Sequence, residues 1–506
     1  MASAIRPLLL STALLVSAAT SSALADEPVA RGQLLGTPQK IGTYVISGLL
    51  AKLADGWVER QLLRETFSPV CAVTAWHFEY QTVGGHGEPT TASAALIVPV
   101  GSHWRCQGPR PIVLYAHGKR DYKFYNIADL NNGGNYEGLL LALACAGRGY
   151  IVVAPNYAGY DTSTLPYHAY LNADQQSKDM IDALSAARAW LPAAGSADAG
   201  KLFVTGYSEG GYVAMATHRA LEAAGQPVTA SVPMSGPYAL SAFGDAVFLG
   251  QVDAGAPAQF VMLATSYQHS YGNLYAAPNE VFEDKYATGV DSLLPNAVGS
   301  GTLVSQGLLP ESALFNSAPP TPGLAAFTPA TTPADLAGVF AMGFGADDLV
   351  RNSYRLSYLE DAVADPDGGY PNTTTGLPPA NPTNAFRLDL KANDLRTWSP
   401  TAPMLICGGD EDPVVFYFNT QLMQAYWAVN APESTVTFLD VDAAVGSGDP
   451  YKHIKEGFHA AKAAVAVAAV VGGASDGGRS AVLENYHGSL VPAFCLQAAR
   501  AFFDAH

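Results

Sequence analysis

Apolar and polar positions along this chain follow two alternating rhythms. Two runs, His77 to Val83 and Ala92 to Pro99, are rich in β-formers and flank a Gly/Pro/Thr turn region, which predicts an antiparallel strand pair opening a sheet. Short apolar runs then alternate with helical patterns. Strands are expected over Ile112 to Ala116, Tyr150 to Pro155, Leu202 to Tyr207 and Val228 to Met234, and helices over Tyr136 to Gly147, Gln175 to Leu191 and Gly211 to Ala224. This alternation puts helices on both faces of a mostly parallel sheet. From Tyr238 to Pro400 the regularity fails: Pro, Gly, Thr and aromatics dominate, and one helical pattern, Ala334 to Val363, stands out. Alternation resumes at Met404 to Cys407 and Thr435 to Leu439, so the irregular stretch reads as an insertion into the sheet and not as a separate C-terminal domain. The expected organisation is an α/β core over residues 26–237 and 401–506 with an inserted cap, or lid, over 238–400. A smaller second insertion, Gly446 to Arg479, holds an Ala-rich helical run from Tyr451 to Val471, and a last helix is expected over Leu490 to Phe503.

Composition narrows the class. With 506 residues, 49% of them hydrophobic and 14% charged, the chain buries a large core. Residues 1–25 have the form of a secretory signal: Arg6, an apolar stretch from Leu8 to Ala19, and Ala23-Leu24-Ala25 before Asp26. The mature protein is expected to start near Asp26 and to be exported, extracellular or periplasmic. Removing Arg6, the single charge in that segment, takes the formal net charge from −17 to −18. Nucleic acid and anionic membrane surfaces call for the opposite field, so neither is an expected partner. No later segment reads as a membrane span.

Export permits disulfides among Cys71, Cys106, Cys145, Cys407 and Cys495. Cys71 with Cys106, which bracket the hairpin-like stretch, is the first pair expected, and Cys407 with Cys495 the second; Cys145 reads as a small buried apolar residue. The Asn372-Thr373-Thr374 acceptor pattern matters only in a host that glycosylates.

The candidate chemistry centres on Gly206-Tyr207-Ser208-Glu209-Gly210, set between a strand-like and a helix-like run. A serine on a sharp strand-to-helix turn needs glycines two before and two after it, where a Cβ would collide with neighbouring backbone. Gly473-Ala474-Ser475-Asp476-Gly477 has the same spacing but no strand before it, and reads as a loop. A serine hydroxyl needs a general base, and the base needs a carboxylate to orient it. In this architecture the order is Ser, then acid, then His. Gly408-Gly409-Asp410-Glu411-Asp412-Pro413 follows the Met404 strand directly; Asp412 is the preferred acid, with Asp410, Glu411 and Asp440 as alternatives. Of the later histidines, His453 and His459 fit a solvated helix face, whereas His487 lies in an expected loop just before the last helix and is the preferred base. The oxyanion donors expected are the amides of Glu209 and of Lys119, the latter in His117-Gly118-Lys119-Arg120 after the Ile112 strand. His117 precedes the serine and is read as scaffold. The Lys119 and Arg120 side chains are expected to point to solvent, and Asp440 and Asp442 to mark an ordinary strand end and not a calcium site.

Tyr115-Ala116-His117-Gly118, Gly206 to Gly211, Gly409 to Val415 and His487 together resemble the α/β-hydrolase superfamily, and within it the exported lipases and esterases of the fungal and bacterial secretory lipase family. The resemblance spans about residues 65–505. It implies carboxylic ester hydrolysis through an acyl-enzyme, a lid over an acyl pocket, a small-molecule or lipid ester as substrate, and no cofactor or metal. The second insertion and Lys119-Arg120 depart from the family pattern and put the pocket's shape in doubt. Two other readings share the scaffold: a serine peptidase of the prolyl-oligopeptidase type, for which residues 26–70 are too few to form a propeller, and a non-catalytic binding protein. The aromatics between Phe260 and Tyr286 are expected to fill the cap's own core.

Overall fold

Nine strands form one sheet in the order β1-β2-β3-β5-β4-β6-β7-β10-β11. The computed structural model describes residues 30–53, 63–64, 66–370 and 376–506; the signal segment and the Asn372 pattern lie outside the described residues. β1 (Leu34–Tyr44), which the residue pattern did not announce, runs antiparallel to β2 (Ala72–Val83). β2 pairs antiparallel with β3 (Pro89–Val100) along its whole length, from Ala72 opposite Val100 to Val83 opposite Pro89. β3 then pairs antiparallel with β5 (Ile151–Pro155). From β5 onward, β4 (Pro109–Ala116), β6 (Ala197–Tyr207), β7 (Ala230–Met234), β10 (Met404–Gly408) and β11 (Val436–Asp440) are parallel.

Side chains alternate between the two faces of the sheet, and at the central strands both faces are buried. Leu114, Val153, Val204 and Ile406 face one apolar layer with α3 (Ala173–Trp190) and α4 (Glu209–Ala223); Val113, Val152, Phe203 and Leu405 face the other, with α2 (Tyr136–Ala144) and the C-terminal helix α13 (Val491–Ala505). A short α1 (Ile46–Leu53) completes the second layer. Near-continuous apolar strands are what such two-sided burial requires.

Between β7 and β10 the chain leaves the sheet and forms α5 (Leu240–Phe248), α6 (Ala256–Tyr271), α7 (Ala337–Met342), α8 (Asn352–Ala364) and α9 (Ala385–Ala392). The single helical pattern expected over Ala334 to Val363 is in fact two helices. Phe344–Gly345 (β9) lies between them and pairs in parallel with Phe315–Asn316 (β8), and the Leu314 and Phe315 amides donate to the Gly343 carbonyl. Most of the insert's apolar side chains, Phe248, Phe260, Tyr267, Phe315 and Phe386 among them, are continuous with the apolar layer on one face of the sheet, while Ala330, Leu336, Val339 and Phe340 form a small cluster of their own with Phe416. Most of the Phe260 to Tyr286 aromatics fill that layer, and Phe260 also borders a cavity.

After β10 come α10 (Phe418–Asn430), β11, α11 (Lys452–Val471) and α12 (Arg479–Asn485). Gly473 to Gly477 is a turn between α11 and α12. Both expected disulfides are present, Cys71–Cys106 and Cys407–Cys495, each with Cα atoms 5.6 Å apart, while burial pushes the Cys145 thiol up to about 12. Cys407 lies on β10 and Cys495 on α13, so this bridge ties together the elements on either side of the site described next. Among the described residues no helix is long and apolar enough to cross a membrane.

Candidate active site

The carboxyl ends of β4, β6, β7 and β10 meet at one edge of the parallel sheet, and the turns that leave them carry most of the candidate residues. Ser208 sits between β6 and α4 with φ 60° and ψ −124°, a conformation few side chains adopt and one held here by its surroundings. Its N–H donates to the Met234 carbonyl (2.9 Å). The flanking glycines have no room for a side chain. A Cβ on Gly206 would lie 2.2 Å from the Gly210 carbonyl oxygen, one on Gly210 would lie 2.0 Å from that of Ala116, and one on Gly211 2.2 Å from that of Met234.

His487 Nε2 lies 2.8 Å from Ser208 Oγ, and His487 Nδ1 lies 2.7 Å from Asp412 Oδ2. The other carboxylate oxygen of Asp412 accepts the N–H groups of Val414 (2.9 Å) and Val415 (3.0 Å), and the residue is almost wholly buried. With Nδ1–H donated to Asp412, the Nε2 lone pair faces the serine hydroxyl, the arrangement a general base needs. His487 is not in an open loop. It occupies a π-helical turn, Tyr486–Leu490, joining α12 to α13, and the Tyr207 hydroxyl donates to its carbonyl (2.6 Å).

The other carboxylates and histidines stand apart. The Asp410 N–H donates to Asp440 Oδ1 (3.2 Å), and burial, with Asp410 and Asp442 nearby, pushes the Asp440 carboxyl up to about 6. Glu411 pairs with Lys462 and Arg479, and Asp442 with Lys462. Asp440 and Asp442 are thus engaged by protein donors, and no cluster of three or more metal-ligating side chains occurs among the described residues. His453 is exposed; His459 is not purely solvated, since its Nε2 lies 2.9 Å from the Asp442 carbonyl. Both ring nitrogens of His117 face carbonyls, of Gly118 (2.7 Å) and Asn156 (3.2 Å); burial lowers its pKa, and a neutral ring can donate to only one of the two, so its contacts are with backbone, in keeping with a scaffold residue.

Lys119 and Glu209 both border the cavity into which Ser208 opens. Glu209 begins α4, whose first-turn N–H groups have no acceptor within the helix. Gly118 packs against the serine turn, where a Cβ would lie 3.3 Å from the Tyr207 carbonyl oxygen and 3.6 Å from Ser208 Cβ. The Lys119 and Arg120 side chains do not extend into solvent. Lys119 pairs with Asp121, and Arg120 pairs with Glu137 while stacking over Tyr125 at 4.5 Å. Burial would raise the Glu137 carboxyl, but Arg120 and donors from Tyr115 and Gly118 hold it below its ordinary value. The Glu209 side chain is buried and accepts from His168 Nε2 (2.6 Å) and Gln176 Nε2 (2.7 Å).

Residue patterns had not pointed to Glu137, His168, Gln176, Tyr207 or Asp253. Tyr207 alone carried a signal, as the variable position of the turn motif; the others meet the site only through contacts distant in sequence. Asp253 borders the cavity with its Oδ2 unpartnered among the described residues, and burial pushes its carboxyl up to about 7. The cavity holds about 550 Å³ and is mainly apolar, with Leu240, Phe243, Val247, Phe248, Phe260 and Leu263 on the insert side.

Solved structures resemble this chain in fold. The rice cell wall degrading esterase LipA from Xanthomonas oryzae matches with a TM-score of 0.62 and 26% identity, over 90% of this chain and 97% of that one. The chain is an α/β-hydrolase. A ligand-bound form of LipA matches this hydrolase with a TM-score of 0.64 and 24% identity, over 93% and 98% of the two chains. A Legionella pneumophila structure described as a putative hydrolase matches with a TM-score of 0.62 and 18% identity, over 94% and 98%, a likeness of fold alone. The model of the prolyl oligopeptidase family matches residues 140–240, the stretch of this hydrolase from α2 to the start of α5 that includes Ser208. No curated protein matches the chain.

Proposed function

We propose that this hydrolase is an exported serine esterase or lipase that cleaves carboxylic esters through an acyl-enzyme. The observation that carries this reading is the Ser208–His487–Asp412 relay, with contacts of 2.8 and 2.7 Å, opening into a mainly apolar cavity of about 550 Å³. Ser208 Oγ attacks the ester carbonyl carbon as His487 Nε2 takes its proton. Asp412 holds the imidazole in the required tautomer and balances the imidazolium. The Glu209 and Lys119 amides donate to the oxyanion. The imidazolium then protonates the departing alkoxide, and water, deprotonated by the same nitrogen, releases the carboxylic acid. The insert over 238–400 acts as the cap that shapes the acyl pocket. Export follows from the signal-like residues 1–25 and fits the two disulfides. The substrate is a small-molecule or lipid ester, in line with the esterase named among the similar structures.

The match to the prolyl oligopeptidase family supports one other reading, a serine peptidase using the same three residues. Hydrolysis of p-nitrophenyl esters of short to long acyl chains by the mature protein, Ser208→Ala and His487→Ala separates the two. Each variant is expected to lose about 10⁴-fold or more in kcat. A folded wild-type protein inert to every ester but active on peptide anilides would replace the esterase by the peptidase.

A further inference from the structure

Hydrogen bonds behind the acid loop lead away from the cavity to the second insertion, which the ester chemistry leaves without a task. Glu411 precedes Asp412 in the chain, and Tyr486 precedes His487. The Tyr486 hydroxyl accepts the Glu411 N–H (3.1 Å) and donates to Asp442 Oδ2 (2.7 Å). Lys462, on α11, donates through Nζ to the same Asp442 oxygen (2.6 Å) and to Glu411 Oε2 (3.0 Å). These four contacts close a ring. Arg479, at the start of α12, adds a second donor to Glu411 Oε2 (3.1 Å). The fit is tight: a Cβ on Gly409 would lie 2.6 Å from the Tyr486 hydroxyl.

We propose that Lys462 is a positioning residue for the acid–base pair, holding the residue before Asp412 directly and the residue before His487 through Asp442. The proposal rests on the Ser208–His487–Asp412 reading. An isolated exposed ion pair contributes little, but here the Asp442 side chain is only 9% exposed and one ammonium bridges two carboxylates in a closed ring. Without that ammonium Arg479 still faces Glu411, but nothing bridges Glu411 to Asp442, and the like charges, no longer linked, let the acid loop shift relative to the π-helical turn. Neither Lys462 nor Glu411 borders the cavity, so substrate binding itself is untouched.

The test is steady-state hydrolysis of p-nitrophenyl butyrate by the mature wild type, Lys462→Met, Lys462→Gln, Lys462→Arg, Glu411→Gln and Ser208→Ala, with thermal unfolding of each. Lys462→Met is expected to lower kcat about tenfold with KM within about twofold, since small displacements of reacting groups are costly. Lys462→Arg keeps the charge and recovers most of the rate. If Lys462→Met does not fold, the same kcat-selective loss is expected in Lys462→Gln, which also removes the ammonium, whereas Glu411→Gln lifts the repulsion, keeps an oxygen for Lys462 and is expected to lose less. Unchanged kcat, a rise in KM alone, or a Lys462→Arg rate no better than that of Lys462→Met overturns the proposal. An active wild type with an inert Ser208→Ala and an unaffected Lys462→Met overturns it alone; a Ser208→Ala as active as the wild type overturns the triad reading with it.

Discussion

The sheet and the insert between β7 and β10 are organised by different interactions. On the sheet, position follows from backbone: parallel strands end in register, and glycines at 206, 210 and 211 let the serine turn press against Ala116 and Met234. The insert has short helices and little ladder, and its buried arginines do the joining. Arg387 on α9 reaches Asp245 of α5 (3.0 and 2.9 Å) and Asp361 of α8 (2.7 Å). Arg396 binds Asp367 (2.8 and 2.5 Å) and Asp394 (2.9 Å). Arg355 is as deeply buried but bonds only the Phe248 and Phe327 carbonyls and the Thr328 hydroxyl, and burial lowers its pKa to about 10. Apolar burial is non-directional, so a segment without a ladder gains a defined arrangement from directional, bidentate pairs.

That contrast can be broken in three ways. Arg387→Met leaves the Asp245 and Asp361 carboxylates buried without their partner, and is expected to cost about 3–5 kcal/mol in urea unfolding. Arg355→Met orphans no carboxylate and is expected to cost less, about 1–3 kcal/mol. Equal losses would show that the insert is held by packing and not by its ion pairs.

Gly210→Ala attacks the other region. The new Cβ, 2.0 Å from the Ala116 carbonyl oxygen, forces β4 and the serine turn apart, and kcat/KM toward esters is expected to fall about 10²-fold. A variant within threefold of wild type would mean the turn yields without moving Ser208.

Asp253 lies where the two regions meet, its neighbour Ala254 donating to the Pro413 carbonyl of the acid loop (3.0 Å). Its carboxyl sits at about 7 when folded against 3.8 as a free side chain. Over that interval the folded chain holds a proton that the unfolded chain releases, so this group's contribution to stability falls as pH rises from about 4 to about 7 and stays lost above. Asp253→Asn removes the penalty. Relative to wild type, the variant is expected to gain about 3 kcal/mol between pH 4.5 and pH 8 in urea unfolding. A difference that does not change with pH would place the Asp253 carboxyl in contact with water.

Ser208 was legible because its signal is local: a glycine pair, a strand before and a helix after. The acid was not. Asp410, Glu411, Asp412 and Asp440 have similar chemistry in the sequence, and what singles out Asp412 is its 2.7 Å approach to a histidine 75 positions further on. The break in the Ala334 to Val363 pattern follows from β9 pairing with β8, a contact no helical periodicity records. Arg120 read as solvent-facing because Glu137 becomes its partner only when the loop folds back on α2, whereas the Lys119–Asp121 pair lies within the loop itself.

By itself, then, the order of residues determined the α/β alternation, where that alternation breaks off and resumes, and the serine turn, and it narrowed the disulfide pairs to two candidates that the structure contains. Each depends on periodicity, on steric limits within a few residues, or on a small set of cysteines. Tertiary structure decided that Asp412 and not its neighbours meets His487, which arginines knit the insert, and that Lys462 of the second insertion bonds both Glu411 and Asp442. Those choices depend on distances of a few ångströms between groups far apart in the chain, and the energies that favour one pairing over another arise only where burial removes the competing water.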